Sequence, residues 1–193
     1  MKLRRTSQLV LAAAASYTRS FRQEFGQIHD HFKLIGQDNL RRYLPVRELR
    51  IRVHPQDTPA DILIRLCAAC IAGCPTTLSS PPDCHSEISR ALEEGTEPWA
   101  GAVEFLEETD EELAAVVRGR QTERIRYAAP DRVPPILHQA AAETGVYIAA
   151  EPVSAEGRLE LLWYLREQSI SLDYHRYGNL GVRDAESRAP IEP

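Results

Sequence analysis

The sequence lacks any long hydrophobic run and lacks an excess of basic residues. No stretch approaches the roughly eighteen apolar residues that a membrane-spanning helix needs. Lys and Arg number 23 against 28 Asp and Glu, which gives a net charge of -5. The basic residues form only short clusters, whereas proteins that bind nucleic acid carry a basic face. We therefore expect neither a transmembrane segment nor a nucleic-acid partner.

Glycine-rich and catalytic motifs are also missing. The first strand that the sequence predicts is followed by His54-Pro-Gln-Asp-Thr-Pro59, which offers no glycine for the close approach of a pyrophosphate. The chain contains no G-x-x-x-x-G-K-[ST] loop and no G-x-S-x-G nucleophile elbow. The residues taken alone indicate no active site.

The four cysteines favour core packing over a metal site. Cys67 and Cys70 have C-x-x-C spacing, but with Cys74 they recur three and four residues apart in a predicted helix, on the stripe that its leucines bury. Free cysteine packs there as a small hydrophobe, and burial makes it a poor nucleophile. A metal or redox site is the alternative, but only Cys84 and His85 follow as further ligands.

The N-terminus combines features of a signal peptide and of an amphipathic helix. Basic residues precede an apolar run at 9–15, as they do in a secretory signal. The helical spacing continues through Tyr17, Phe21 and Phe25, beyond the point where a signal core would end. We therefore predict an amphipathic helix over 2–27 in a cytoplasmic protein, with a secretory signal as the alternative.

A polar and aromatic connector is predicted over 27–45. Its His29 and His31 flank Asp30. With no further ligand nearby in the sequence, we interpret the three as hydrogen-bonding loop residues. A metal site or a proton shuttle is the alternative.

From residue 46 onward, strand and helix patterns alternate. Strands are predicted at 48–53, 76–79, 102–106, 123–127 and 146–149, and helices at 58–73, 83–94, 109–118 and 134–144. This alternation is typical of βαβ units, and it predicts a Rossmann-like α/β fold with an open, mostly parallel sheet of about five strands and helices on both faces. The predicted regions are 1–45 (helix and connector), 46–181 (α/β domain with a C-terminal motif) and 182–193 (flexible tail).

The stretch 164–181 changes its period. A helical run of large apolar residues ends near Leu165, and from Ser169 apolar and polar residues alternate as in a half-buried strand. Tyr174-His-Arg-Tyr177 then places three rings and one arginine side by side. Such a cluster is costly to leave in water and suits contact with another surface.

Three segments resemble the C-terminal part of long proline utilization A proteins, which are bifunctional proline dehydrogenase/L-glutamate γ-semialdehyde dehydrogenases. They are Gly36-Gln-Asp-Asn-Leu-Arg-Arg-Tyr-Leu-Pro45, Arg124-Ile-Arg-Tyr-Ala-Ala-Pro-Asp-Arg-Val-Pro134, and the stretch 160–181. With their spacing they cover most of the chain from about Ser16.

The matched part is an extra C-terminal domain that resembles the NAD-binding domain of aldehyde dehydrogenases. The resemblance implies that this domain does no chemistry, and that it packs on the dehydrogenase module and helps to enclose the cavity of the intermediate. We expect docking through the C-terminal motif and the connector, so that replacing Arg176 and Tyr177 by alanine weakens docking. The predicted interface residues are Asp38, Asn39, Arg41, Arg42 and Tyr43, with Asp173, Tyr174, His175, Arg176, Tyr177 and Asn179.

The resemblance also implies that no cofactor binds. FAD belongs to a barrel that nothing here resembles, and the catalytic Gly-Gln-x-Cys context is absent. The segment that should supply a ribose-binding lysine reads Leu78-Ser-Ser-Pro-Pro-Asp83, and Glu107 and Glu108 stand where a Gly-Ser pair receives the diphosphate. We therefore expect no NAD and no enzymatic activity from this chain alone, with dehydrogenase modules or a second copy as partners. The alternative is an NAD-dependent 1-pyrroline-5-carboxylate or aldehyde dehydrogenase relative, or another nucleotide-binding protein, with an unrecognised site.

Overall fold

The computed structural model describes residues 2–82, 84, 103–175 and 179–186. Its helices are α1 (Lys2–Ser20), α2 (Pro59–Ala72), α3 (Asp110–Arg118), α4 (Pro135–Thr144) and α5 (Gly157–Glu160). Its strands are β1 (Gln37–Pro45), β2 (Leu49–Arg52), β3 (Thr76–Ser80), β4 (Val103–Glu107), β5 (Arg124–Arg126), β6 (Tyr147–Ala149) and β7 (Leu165–Asp173). The helix predicted at 83–94 lies outside the described residues.

Strands β2 to β6 form a five-stranded parallel sheet in the order β4-β3-β2-β5-β6. The chain therefore starts in the middle of the sheet, runs to one edge and then crosses to the other half. Helices α1 and α2 share one buried core with β2 and β3, and α3 and α4 share a second core with β5. The predicted α/β class, the five parallel strands and the helical layers on both faces are confirmed.

Capping residues set the helix boundaries that the sequence predicts. Thr58 Oγ1 accepts a hydrogen bond from the Asp61 amide, and the Asp61 carboxylate accepts one from the Thr58 amide, which is a capping box. Thr109 and Glu112 repeat this arrangement at the start of α3. Gly73 ends α2 in the left-handed conformation, with φ of 76°.

Helix α1 lies against α2 and α5. Its Ala13 and Tyr17 are fully buried, and the Tyr17 hydroxyl donates a hydrogen bond to the Ser154 carbonyl. A π-helical turn, Phe21–Phe25, follows α1. The predicted amphipathic N-terminal helix is thus confirmed as a packed element. No described helix combines the length and the hydrophobicity that a membrane crossing requires.

The predicted connector contains a strand that its sequence does not reveal. β1 pairs antiparallel with β7 over nine residues each, from Gln37 opposite Asp173 to Pro45 opposite Leu165. We call this two-stranded unit the arm. Every residue of β1 is half-buried, so the sequence shows no alternation of apolar and polar residues. β7 also begins at Leu165, earlier than the Ser169 start that the alternation predicts, because the helical run ends in the 3-10 turn Leu161–Trp163.

A buried ion pair joins the sheet to α5. The Arg126 guanidinium donates to both carboxylate oxygens of Glu160 at 2.9–3.1 Å, and both side chains are fully buried. The Glu160 carboxylate also accepts from the Tyr164 hydroxyl at 3.0 Å and from the Ser154 amide at 2.9 Å. Burial, together with the nearby Glu160 charge, raises the pKa of Tyr164, which keeps its hydroxyl protonated as a donor.

Replacing Glu160 by glutamine should destabilise the fold strongly. The substitution preserves the shape of the side chain but leaves the Arg126 charge buried without a counter-charge, which costs about 3 kcal/mol or more. Urea denaturation followed by circular dichroism measures this change in the free energy of unfolding. Glu143→Gln is the matched control, because Glu143 pairs with Arg118 at 2.8 Å on an exposed surface and should change stability little. Equal effects of the two substitutions would contradict the assignment.

Candidate functional site

The arm brings the predicted interface residues together from two distant parts of the sequence. Asp38, Asn39, Arg41, Arg42 and Tyr43 lie on β1, and Asp173 is the last residue of β7. Tyr174 and His175 follow at the tip of the arm, and Asn179 Oδ1 accepts a hydrogen bond from the Gly181 amide at 2.7 Å. Arg176 and Tyr177 lie outside the described residues.

A glycine closes the tip of the arm. Gly36 adopts φ of 84°, and its amide donates to the Tyr174 hydroxyl at 3.1 Å while its carbonyl accepts from the Tyr174 amide at 3.0 Å. A Cβ atom at Gly36 would lie 2.7 Å from Nδ1 of His175. Tyr174 and His175 thus hold the entry to β1, and only a glycine fits between them.

The segment predicted as a flexible tail contributes to the same tip. Gly181–Arg183 form a 3-10 turn, and the Arg183 guanidinium donates to both carboxylate oxygens of Asp38 at 2.8 and 3.1 Å. The same guanidinium lies 3.9 Å above the centre of the Tyr174 ring and also pairs with Glu186. Asp38 and Tyr174 are therefore occupied by contacts within the chain.

The base of the arm is fixed to the end of the N-terminal helical segment. The Tyr43 ring meets Phe25 edge-on with 5.0 Å between ring centres, and burial raises the pKa of Tyr43. Arg41 pairs with Glu24 at 3.0 Å and lies over the Tyr43 ring. These contacts anchor β1 to the π-helical turn.

His29 and His31 both contact Arg41 of β1. Their rings stack with 5.2 Å between centres, and Nε2 of His31 accepts from Arg41 at 3.2 Å. The backbone of His29 pairs with that of Arg41 as a short antiparallel bridge. No group of three His, Cys, Asp or Glu side chains suited to a metal ion occurs among the described residues. The interpretation as hydrogen-bonding residues therefore agrees with the contacts that both histidines make.

The large apolar residues exposed around the arm differ from the interface residues that the sequence predicted. Large apolar side chains stand 48–74% exposed on the connector and beside the tip, and they are Ile28, Phe32, Leu34, Ile35 and Leu172. We call these five the apolar rim. Next to it, a groove of about 690 Å³ lies between Phe32 and the polar face of the arm. Sequence reasoning missed the rim, although three apolar residues within 32–35, in a segment without periodicity, were a usable signal.

Buried arginines fill the carboxyl edge of the sheet, where open α/β sheets bind their ligands. Arg52, at the end of β2, is 1% exposed and donates to Ser79 Oγ at 2.7 Å, to the Glu108 carbonyl at 2.9 Å and to Asp110 at 2.7 Å. The Glu108 carboxylate pairs with Arg50 at 2.8 Å. Of the two carboxylates expected to face a diphosphate, Glu108 is thus turned to the sheet, because a basic partner lies beneath it.

A second cluster spans the crevice between β2 and β5, where the strand order reverses. The carboxylate of Asp57, after β2, is fully buried and bonded to both Arg65 and Arg132. Arg65 also donates to the Arg52 carbonyl at 2.9 Å and to the Arg126 carbonyl at 3.1 Å. These contacts tie together the loops between which a dinucleotide would lie.

The cysteines lie in environments that suppress thiolate chemistry. Cys74 is buried, its thiol donates to the Tyr164 carbonyl, and burial raises the pKa of Cys74 to about 12. Burial also raises the pKa of Cys67 and Cys84, which are both half-buried. The prediction that Cys70 shares the buried stripe was wrong: Cys70 is exposed, because Ala69 occupies the buried position beside it.

Comparison with known proteins identifies the fold. No protein-family profile and no curated protein sequence matches the chain. Proline Utilization A from Corynebacterium freiburgense superposes with a TM-score of 0.59 at 24% identity, over 88% of this chain and 14% of that chain. Histidinol dehydrogenase from Elizabethkingia anophelis gives 0.54 at 16% identity, over 75% of this chain and 35% of that chain.

An NAD-dependent benzaldehyde dehydrogenase from Corynebacterium glutamicum gives a TM-score of 0.51 at 18% identity, over 77% of this chain and 34% of that chain. The chain thus spans between 14% and 35% of the length of these three proteins. At these identities the similarity establishes an aldehyde-dehydrogenase-like α/β fold.

Replacing Gly36 by alanine should loosen the tip of the arm. The positive φ costs about 1 kcal/mol or more for a residue with a Cβ, and the clash with His175 adds to that. We expect faster hydrogen exchange of the β1 and β7 amides, measured by NMR, with little change in the sheet.

Gly145→Ala is the matched control, because Gly145 has φ of 78° but no atom within 4 Å of an added Cβ. It should leave exchange in the arm unchanged. Adding His175→Ala to Gly36→Ala should recover part of the protection. A loss of protection in the arm that is equal in both glycine variants would show that the His175 contact is unimportant.

Proposed function

We propose that this protein is a non-catalytic, aldehyde-dehydrogenase-like accessory domain of the cytoplasmic system that converts proline to glutamate. It docks on the dehydrogenase module of a proline dehydrogenase/L-glutamate γ-semialdehyde dehydrogenase. There it helps to enclose the cavity through which the reaction intermediate passes. The proposal rests on the three sequence segments that resemble long proline utilization A proteins. The fold similarity to the C. freiburgense protein agrees with it.

The observation that carries the docking role is the apolar rim on the arm. Phe32 and Ile35 are 69% and 74% exposed, and large side chains this exposed are retained where they meet a partner. The segment that carries them is tied to β1 by the backbone pairing of His29 with Arg41 and is held at its end by Gly36, so the rim is presented in a defined position. A pre-organised apolar surface of this kind binds with a low ordering cost.

The carboxyl edge of the sheet supports the non-catalytic part of the proposal. The Asp57, Arg65 and Arg132 cluster bridges the crevice that a dinucleotide would enter. A ligand there would have to separate buried ion pairs, which costs several kcal/mol per charge.

Serine substitutions in the rim should weaken docking while the fold stays intact. We expect Phe32→Ser combined with Ile35→Ser to reduce affinity for the purified dehydrogenase module at least tenfold, measured by biolayer interferometry, because each removes exposed apolar contact area. Leu159→Ser combined with Leu162→Ser is the control, since both leucines are exposed on α5 and the turn that follows it. Circular dichroism verifies the fold of each variant.

Flux measurements provide the functional readout. Adding the wild-type protein to the dehydrogenase should increase conversion of proline to glutamate without release of the intermediate, and the rim variant should not. A protein that neither binds the module nor alters this flux would refute the proposal.

An NAD-dependent dehydrogenase relative or another nucleotide-binding protein is the second candidate function. It is favoured by the fold similarity to the NAD-dependent benzaldehyde dehydrogenase. Isothermal titration with NAD, NADP and ATP separates the two candidates. Micromolar binding of any of them, unchanged in the rim variant, would favour a nucleotide site.

A further inference from the structure

Charge is distributed unevenly along the chain. The first 23 residues carry five basic and no acidic side chains, whereas residues 24–193 carry 18 basic and 28 acidic ones. The first 23 residues therefore carry a net charge of +5, and the rest of the chain carries a net charge of -10. Most of this basic charge lies on α1, which forms the outer layer over α2.

The basic side chains of this segment are available to a partner. Arg5, Arg19 and Arg22 are exposed, and within the described residues no carboxylate pairs with any of the three. Leu11 is 69% exposed on the same outer face, where it lines a shallow groove of about 570 Å³ with Arg19 and Arg22. This outer face, with Leu11 at one end of the groove and Arg19 and Arg22 towards the other, is the basic surface.

A complementary surface lies on another part of the molecule. Residues 104–112 contain six acidic and no basic side chains. Glu108 and Asp110 are paired with arginines of the sheet, but four carboxylates remain exposed around Leu106, which is 39% exposed. They are Glu104, Glu107, Glu111 and Glu112. We call this the acidic surface.

The two surfaces belong to different layers of the fold. The acidic surface occupies β4, at one edge of the sheet, and the start of α3, whereas α1 packs with α2 and α5. Helix α3 belongs to the core on the opposite face of the sheet. A molecule therefore does not cover its own basic surface with its own acidic surface, and both remain open to a second molecule.

We propose that the basic surface of one copy binds the acidic surface of a second copy. Each surface combines an exposed leucine with charges of one sign, so that contact removes apolar area from water while opposite charges meet. The contact is heterologous, because two different patches meet. The contact does not involve the apolar rim. Self-association and docking on a dehydrogenase can therefore be tested independently.

Sedimentation velocity at two salt concentrations tests the contact. The wild-type protein should associate near 50 mM NaCl and dissociate near 500 mM. At about 500 mM salt the attraction between the charges of the two surfaces is screened over a few ångströms. Arg19→Glu combined with Arg22→Glu should weaken association at least tenfold. Arg47→Glu combined with Arg120→Glu changes the net charge equally at exposed positions outside α1 and the helices packed on it and should have a much smaller effect.

A charge exchange makes the test specific. Glu107→Arg combined with Glu111→Arg should weaken association as the Arg19 and Arg22 substitutions do. Carrying all four substitutions in one chain should restore it, because the signs of the two surfaces are then exchanged. Equimolar mixing of the two double variants should also give complexes, because one variant then carries two acidic surfaces and the other two basic ones. Each double variant alone should stay dissociated, because its two surfaces have the same sign.

Three results of the association experiments would each refute the proposal. The first is a wild-type protein that stays monomeric at low salt and high concentration. The second is an equal effect of the Arg19 and Arg22 substitutions and of their charge-matched control on association. The third is a four-substitution chain that remains dissociated although circular dichroism shows it folded. Binding of the basic surface to anionic lipid vesicles or to heparin, without self-association, would assign it to another polyanion and equally overturn the proposal.

Discussion

Desolvated guanidinium groups are the constraint on which the arrangement of the sheet's loops depends. Arg52, Arg65 and Arg126 are 0–1% exposed, and a buried charge is tolerated only when paired and fully hydrogen-bonded. Their partners come from the loops and helices around the carboxyl edge, so satisfying the three arginines fixes those loops relative to one another. A sheet edge of this kind normally receives ligands, whereas here ionic contacts within the chain occupy it.

The arm is held by different forces. Its two strands lie outside the main sheet, and they are fixed by an aromatic contact at the base and by backbone hydrogen bonds to Gly36 at the tip. Polar residues of the two strands bond to one another, as Arg42 does with Gln168, and the apolar rim beside them stays 48–74% exposed. The molecule thus combines a sheet edge that is occupied by buried ion pairs with an exposed apolar rim, and the proposed docking role rests on this combination.

Local signals made most of the fold predictable. Thr58, Gly73 and Thr109 act within a few residues of themselves, so helix ends could be located from the sequence, and the alternation of patterns gave the parallel sheet. The pairing of β1 with β7 could not be found in this way, because hydrogen-bonding partners more than a hundred residues apart leave no local trace. For the same reason the sequence named Asp38 and Tyr174 as surface residues, although Arg183 binds the first and covers the second. The pairing of Glu108 with Arg50 likewise depends on strand order.

The register of the arm has a consequence for the order of folding. Pro45 pairs with Leu165, so 120 residues separate the closest partners of the two strands. At synthesis rates of about 5–20 residues per second, β1 waits on the order of ten seconds for β7, and every strand of the parallel sheet leaves the ribosome first. Until then β1 is an unpaired strand, open to incorrect pairing. During synthesis the arm can therefore close only after all five strands of the parallel sheet have left the ribosome, and a partner that recognises the closed arm would bind only chains synthesised to at least β7.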